Sequence, residues 1–144
     1  PHEPAPRFTV AMPDREADVA LAVQHLVERG FRHLLFCARA DGAGLGRAEH
    51  FLPACGALGV VGHLFPSVFT DGGRSPAWHA AQADLATVLQ SLPKPLGVVA
   101  VSDLRARDVL QSCRLARIGV PEHVAVIGAD NDEVLCELCD PPLS

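Results

Sequence analysis

Hydrophobic residues recur along the 144-residue chain in two alternating patterns, one with helical spacing and one continuous. The first helical pattern starts after Asp14, a predicted N-cap, and continues to Gly30, a residue that favours a helix end. A continuous apolar run at residues 33–37 then predicts a buried strand. A glycine-rich loop is predicted over residues 38–46, followed by a helix over residues 47–59 that Pro53 is expected to limit or bend.

The same alternation continues to the end of the chain. A second strand is predicted within residues 60–69, interrupted at Pro66, and residues 72–76 form a predicted loop. Helices are predicted at residues 78–92 and 104–117, and strands at residues 96–102 and 123–128. Strands that are apolar throughout and alternate with helices are typical of a parallel sheet covered on both faces. The sequence therefore predicts an α/β fold, with a doubly wound parallel sheet and helices on both faces.

Composition and charge narrow the class of protein. Hydrophobic residues make up 49% of the chain and charged residues 20%, as in a globular domain. The formal net charge of −5 argues against a nucleic-acid surface, so any DNA contact must come from elsewhere. Five scattered cysteines favour reduced thiols in a cytoplasmic protein, and no apolar run is long enough to span a bilayer. The start of the chain lacks a secretory signal pattern. It also lacks an initiator Met, which predicts a fragment of a longer protein.

Polar residues that follow the predicted strands are the candidate ligand contacts. In doubly wound sheets, ligands bind beyond the carboxyl ends of the strands. That rule points to the loops at residues 38–46, 102–105 and 129–133, and it selects Arg47, Ser102, Asp103, Asp130 and Asn131. Carboxylates and an arginine that converge there can hold polyol hydroxyls by hydrogen bonds. The alternatives are that Asp103 only caps a helix and that Asp130 caps a helix or lies in a surface turn.

Other motifs are weaker. Cys136 and Cys139 form a C-x-x-C, but a zinc site needs two further ligands, so two semi-buried thiols are favoured and neither a metal nor a cofactor is predicted. The nucleophile elbow G-x-S-x-G is absent, and the glycines of "DGAGLG" do not match a dinucleotide loop, so the sequence predicts no catalytic residues and no enzyme. Trp78 is either a helix anchor or an aromatic platform under a sugar ring.

Three longer stretches resemble a known family. "VPEHVAVIGADND" resembles the stretch ahead of the last strand in the sugar-sensing domains of lac-repressor-type regulators and periplasmic sugar-binding proteins. "VVAVSDLRARDVLQSCRLARIGVPEHVAVIGADNDE" is most similar to the xylose-operon regulators, which are AraC-type activators with a sensing domain of the lac-repressor fold. "PDREADVALAVQHLVERGFRHLLFC" and "WHAAQADLATVLQSLPKP" resemble the same regulators. The resemblance covers nearly the whole chain.

The resemblance also implies roles for individual residues. Arg47 matches an arginine that often binds a sugar hydroxyl, Ser102 and Asp103 match an Asn-Asp or Thr-Asp pair, and Asp130 with Asn131 match the Asp of Gly-x-Asp and its neighbour. The chain departs from the family at three places: His50-Phe51 replaces a frequent Gly-Phe, no glycine lies near Val19, and Ser102 is shorter than the usual Asn.

By the same resemblance, residues 1–144 form one domain, the C-terminal lobe of a two-lobe sensing domain, with residues 1–13 and 140–144 as hinge crossings. The implied protein is a cytoplasmic transcriptional regulator that senses a sugar, such as the pentose xylose. It would bind DNA through a domain outside this chain and form a homodimer at full length. The alternatives are a sugar-binding receptor of a transport system, an enzyme with a doubly wound sheet, and a regulator lobe that has lost its ligand and serves in dimer contacts.

Overall fold

The computed structural model describes residues 14–39, 42–67 and 75–143. The predicted crossing at residues 1–13, residues 72–74 of the predicted loop and Ser144 lie outside the described residues. In chain order the elements are α1 (Arg15–Glu28), β1 (His33–Arg39), α2 (Gly42–Ala57), β2 (Val61–Ser67), α3 (Pro76–Ser91), β3 (Leu96–Ala100), α4 (Asp103–Leu115), β4 (Val124–Ile127) and α5 (Glu133–Leu138).

The described strands form one parallel sheet in the order β2-β1-β3-β4. Within it, β1 is central, with Cys37 opposite Phe65 on β2 and Ala100 on β3. The chain turns from one side of β1 to the other after β2, so the carboxyl ends of β1, β3 and β4 lie side by side. The predicted doubly wound α/β fold is confirmed.

The ends of α1 lie where the sequence predicts them. Asp14 is the N-cap, and its Oδ1 accepts a hydrogen bond from the Ala17 backbone N–H at 3.1 Å. Gly30 has φ of +92°, a left-handed conformation that costs glycine little, and it ends the helix. Val19, Val23 and Leu26 form the buried stripe of α1.

The start of α2 differs from the prediction of a loop at residues 38–46. The helix begins at Gly42 rather than near Arg47, and it continues through Pro53 to Ala57. Glycine has a low intrinsic helix propensity, but propensity is a weak constraint that tertiary packing overrides. Phe51 and Cys55 of this helix are almost fully buried against the sheet.

The predicted interruption of the second strand at Pro66 is wrong. β2 continues through Pro66, which pairs with Ala38, to Ser67. β2 lies at the edge of the described sheet, with β1 as its one strand neighbour there. Proline is tolerated in an edge strand because its missing N–H removes no bond from a second neighbour.

Helices cover both faces of the sheet. α1 and α2 pack on one face, around a cluster that contains Leu34, Phe36 and Val99 from the strands. α3 and α4 pack on the other face, around a cluster that contains Leu35, Cys37 and Val98. Alternate strand residues thus serve opposite faces.

Candidate functional site

The candidate site lies where the carboxyl ends of β3 and β4 meet. Ser102 and Asp103 follow β3, and Asp130 and Asn131 follow β4, the strand paired with β3. Four of the five predicted residues therefore come together at one edge of the sheet. Arg47 approaches the same edge from α2.

Ser102 is the N-cap of α4. Its Oγ accepts a hydrogen bond from the Arg105 backbone N–H at 3.3 Å. The alternative that Asp103 caps this helix is therefore wrong, because Asp103 is its first helical residue. Ser102 is half-buried at the sheet edge.

Asp103 is only 2% exposed, and its carboxylate faces the loop after β4. Its Oδ1 accepts hydrogen bonds from the backbone N–H groups of Ala129 at 3.0 Å and Asp130 at 3.3 Å. Its Oδ2 accepts from the Asp132 N–H at 2.7 Å and from the Cys136 thiol at 3.6 Å. Both oxygens are thus engaged within the domain.

Asp130 and Asn131 are exposed. The Oδ2 atom of Asp130 accepts a hydrogen bond from the backbone N–H of Asp103 at 3.2 Å, so the two aspartates hold each other's backbone. Asn131 has φ of +54°, a left-handed conformation that asparagine adopts more readily than most residues. Asp132, and not Asp130, is the N-cap of α5, because its side chain accepts from the Leu135 N–H at 3.0 Å.

Arg47 connects α2 to the end of β3. Its Nη1 donates to the backbone carbonyl of Val101 at 3.0 Å, and its buried Nε has no hydrogen-bond partner among the residues that the structure describes. Arg47 also lines a cavity of about 510 Å³ with Phe36, Gly128 and Ala129, closed on one side by α1. The guanidinium therefore reaches the sheet edge where the other four residues cluster.

The C-x-x-C cysteines lie at the end of the same loop. Cys136 is half-buried on α5, and Cys139, its C-cap, is 8% exposed. Desolvation, followed by the neighbouring Asp103 carboxylate, raises the pKa of the Cys136 thiol, which stays protonated and able to donate. Within residues 14–39, 42–67 and 75–143, no group of three or more His, Cys, Asp or Glu residues is arranged to hold a metal ion.

Trp78 lies in the first turn of α3, where its backbone N–H donates to Oγ of the N-cap Ser75 at 3.1 Å. Its half-buried ring meets the ring of His79 edge-on, with 5.0 Å between the centroids. Both contacts lie within the first turn of α3, and the aromatic platform under a sugar ring stays a prediction.

Two contributors to the site were missed by sequence reasoning. One is Gly128, where a Cβ atom would collide with Oδ1 of Asp103. The other is Cys136, for which the C-x-x-C spacing predicts a semi-buried thiol but no hydrogen bond to Asp103. The sequence signal for Gly128 is its position two residues before the candidate ligand contact Asp130, in "IGAD". At that point the predicted buried strand gives way to a polar loop.

Comparison with known proteins places the chain in a family. The pattern of the periplasmic binding protein-like domain matches residues 23–144. The chain belongs to that family. As expected of a periplasmic binding protein-like domain, it has a parallel sheet with helices on both faces, and the resemblance seen in the sequence is confirmed.

Similar proteins are regulators by name. The domain is 33% identical over 136 residues to the xylose operon regulatory protein of Haemophilus influenzae, covering 90% of this chain and 34% of the relative. It is 37% identical over 123 residues to the protein of the same name from Escherichia coli, covering 84% of this chain and 31% of the relative. The chain thus spans about a third of the length of these relatives.

A solved structure shares the fold. The domain superposes on a xylose-binding transcription activator with a TM-score of 0.68 and 35% sequence identity, over 83% of this chain and 32% of that one. In the part of this periplasmic binding protein-like domain that the structure describes, no helix is long and apolar enough to cross a bilayer.

Proposed function

We propose that the chain is the C-terminal lobe of the effector-sensing domain of a transcriptional regulator, and that the effector is a sugar, specifically a pentose such as xylose. The observation that carries the proposal is the joining of the β3 and β4 ends by Asp103 and Asp130, which leaves the Asp130 side chain exposed at the sheet edge. Further support comes from the names of the relatives, which are xylose operon regulatory proteins.

The sugar would bind beyond the carboxyl ends of the strands, between this lobe and a second one. Residues 1–13 and 140–144 are the proposed hinge crossings between the lobes. In this arrangement Asp130 accepts hydrogen bonds from sugar hydroxyls, and Arg47 donates to a sugar oxygen. Ser102 and Asn131 supply shorter polar groups at the rim. Such contacts shift the equilibrium between the open and closed states of the regulator only if they are stronger in the closed state.

The rest of the regulator would lie outside this chain. The net charge of −5 supports a DNA-binding domain elsewhere in the protein, which we propose to be a homodimer. The five free cysteines support a cytoplasmic location rather than that of an exported transport receptor, because exported proteins meet oxidising conditions. We also propose that the domain binds its sugar without transforming it, as the relatives are named for regulation and not for catalysis.

Calorimetry of the full-length natural protein against xylose, arabinose, ribose and glucose tests this function. We expect binding of a pentose, and Asp130→Asn should weaken it about 10-fold to 100-fold, since a hydrogen bond to a charged group contributes about 1.5–3 kcal/mol. Asp84→Asn is the matched control, because Asp84 is an exposed aspartate on α3, away from the strand ends. The absence of binding heat for all four sugars, or an equal affinity of the two variants for the pentose, would contradict the proposal.

A further inference from the structure

Asp103 is a buried carboxylate that accepts hydrogen bonds from the loop after β4 and from Cys136 on α5. Moving a carboxylate out of water is costly unless hydrogen bonds replace its hydration. Backbone N–H groups of Ala129, Asp130 and Asp132 and the thiol of Cys136 provide that replacement. Residues 128–132 therefore surround the Asp103 carboxylate with their backbone N–H groups.

The loop is shaped to bring these donors together. The left-handed conformation of Asn131 turns the chain, so that N–H groups on both sides of it point to the same carboxylate. Gly128 has no side chain where a Cβ atom would strike Oδ1 of Asp103. The carboxylate of Asp103 therefore has room at this position because residue 128 is a glycine.

The contact also runs in the opposite direction. The backbone N–H of Asp103, in the first turn of α4, donates to Oδ2 of Asp130 at 3.2 Å. That bond fixes the direction of the Asp130 side chain, and the positive end of the α4 dipole favours its negative charge. Asp130 is held by its backbone and by its side chain, both through residue 103.

We propose that Asp103 is a positioning residue, which sets the conformation of residues 128–132 and aims Asp130 at the effector without touching the effector itself. This inference rests on the proposed function, in which Asp130 contacts the sugar. It replaces the direct sugar contact that the sequence predicts for Asp103, because both oxygens of that residue are engaged by the loop. Sugar affinity then depends on Asp103 only through Asp130.

Hydrogen exchange of the full-length protein tests the loop without any ligand. Asp103→Asn keeps the shape of the side chain but replaces one acceptor oxygen by an amide donor, which would face a backbone N–H. Loss of about one hydrogen bond should speed amide exchange in a peptide that spans residues 128–133 about tenfold. Unchanged exchange in that peptide would overturn the proposal.

A double-mutant cycle on sugar affinity separates positioning from direct contact. Asp103→Asn alone should weaken binding about tenfold, and it should have little further effect in an Asp130→Ala background. Additive losses would mean that Asp103 acts independently of Asp130 and would overturn the proposal. Full affinity in Asp103→Asn would do the same.

Two further variants distinguish the positioning role of Asp103 from a general loss of the folded state. Gly128→Ala leaves both aspartates intact but displaces the carboxylate, so it should reproduce the effects of Asp103→Asn on exchange and on affinity. Asp108→Asn removes another buried carboxylate of α4, one that pairs with Arg105 of the same helix at 3.2 Å, and should change neither readout. A loss of sugar affinity in Asp108→Asn equal to that in Asp103→Asn would overturn the positioning role.

The two proposals fail in different ways. A wild-type protein that binds none of the four sugars would contradict the proposed function, and the exchange experiment would then decide the role of Asp103 alone. Sugar binding that depends on Asp130 but not on Asp103 would leave the function intact and overturn this inference.

Discussion

On the face of the sheet covered by α1 and α2, packing is between apolar groups such as the rings of Phe36 and Phe51, whereas the other face is partly polar. The buried polar side chains of the described residues, Gln82, Asp103, Arg105, Asp108 and Ser112, all lie on α3 or α4. The cavity of about 510 Å³ is lined by residues of α1 and α2 and not of α3 or α4. Hydrogen bonds between helices thus help to place α3 and α4, whereas α1 and α2 are held mainly by apolar packing, together with the bond from Arg47 to the Val101 carbonyl.

The contrast has a physical reason. Apolar contacts are non-directional, so α1 and α2 are placed by how well their side chains fill space. A hydrogen bond between α3 and α4 is lost if either helix shifts by about an ångström. Because α4 begins with Ser102 and Asp103, a fixed α4 also fixes the end of β3 at the candidate site.

The largest expected effect comes from Phe36→Ala on the apolar face. Phe36 is 1% exposed, and its ring centroid lies 5.2 Å from that of Phe51 on α2. Removing a buried phenyl ring leaves a cavity and should lower the free energy of unfolding by about 3–5 kcal/mol, measured by urea denaturation of the chain. Leu52→Ala is the control, since Leu52 is 44% exposed and should cost less than about 1 kcal/mol. Equal losses would contradict the assigned packing.

Ser112→Ala tests the polar face and should have a smaller effect. The hydroxyl of Ser112 on α4 contacts the backbone carbonyl of Gln82 on α3 at 3.2 Å and also its side-chain oxygen. Its removal leaves the buried side-chain oxygen of Gln82 without this donor, which costs about 1–3 kcal/mol in the free energy of unfolding. Adding Gln82→Met should recover part of that loss, because the unsatisfied side-chain oxygen is then absent.

The control for this prediction is another serine. The Oγ of Ser91 donates to the Val88 carbonyl within α3 and is exposed, so Ser91→Ala should change the free energy of unfolding by less than about 0.5 kcal/mol. If Ser112→Ala is no more destabilising than Ser91→Ala, the α3–α4 pairing does not depend on this bond.

Much of the fold was predictable because its signals are local. These signals act over a few residues: the cap at Asp14, the glycine at residue 30 and the apolar runs of the strands. The structure confirms the predictions made from them. The start of α2 was not predictable, since the glycines at residues 42, 44 and 46 oppose a helix locally and only packing supports one there.

The candidate site was predictable in its position but not in its internal division of roles. The strand-end rule located Asp103 and Asp130, and β3–β4 pairing brings them together. The hydrogen-bond partners of Asp103 are 26 to 33 residues away, and no spacing in the sequence indicates which oxygens they occupy. The direct sugar contacts of Arg47, Ser102, Asp130 and Asn131 stay predictions.

The smallest expected difference between the two faces concerns buried thiols at alkaline pH. Burial raises the pKa of Cys37 to about 12 and that of Cys113 to about 11 on the α3–α4 face, and that of Cys55 to about 11 on the α1–α2 face. A thiol whose pKa is higher in the folded state holds its proton more tightly there. Its stabilising contribution is complete below about pH 9 and is lost as the pH rises towards the folded value.

We therefore expect the free energy of unfolding to fall between pH 9 and 10, by at most about 1.4 kcal/mol per pH unit for each buried thiol. Cys37→Ala/Cys113→Ala should reduce this slope about twice as much as Cys55→Ala, because two of the three thiols lie on the α3–α4 face. Urea denaturation at several pH values measures the slopes, and comparing slopes removes the neutral-pH cost of each substitution. Equal slopes in the two variants would contradict the prediction that each buried thiol contributes about equally to the pH dependence of the free energy of unfolding.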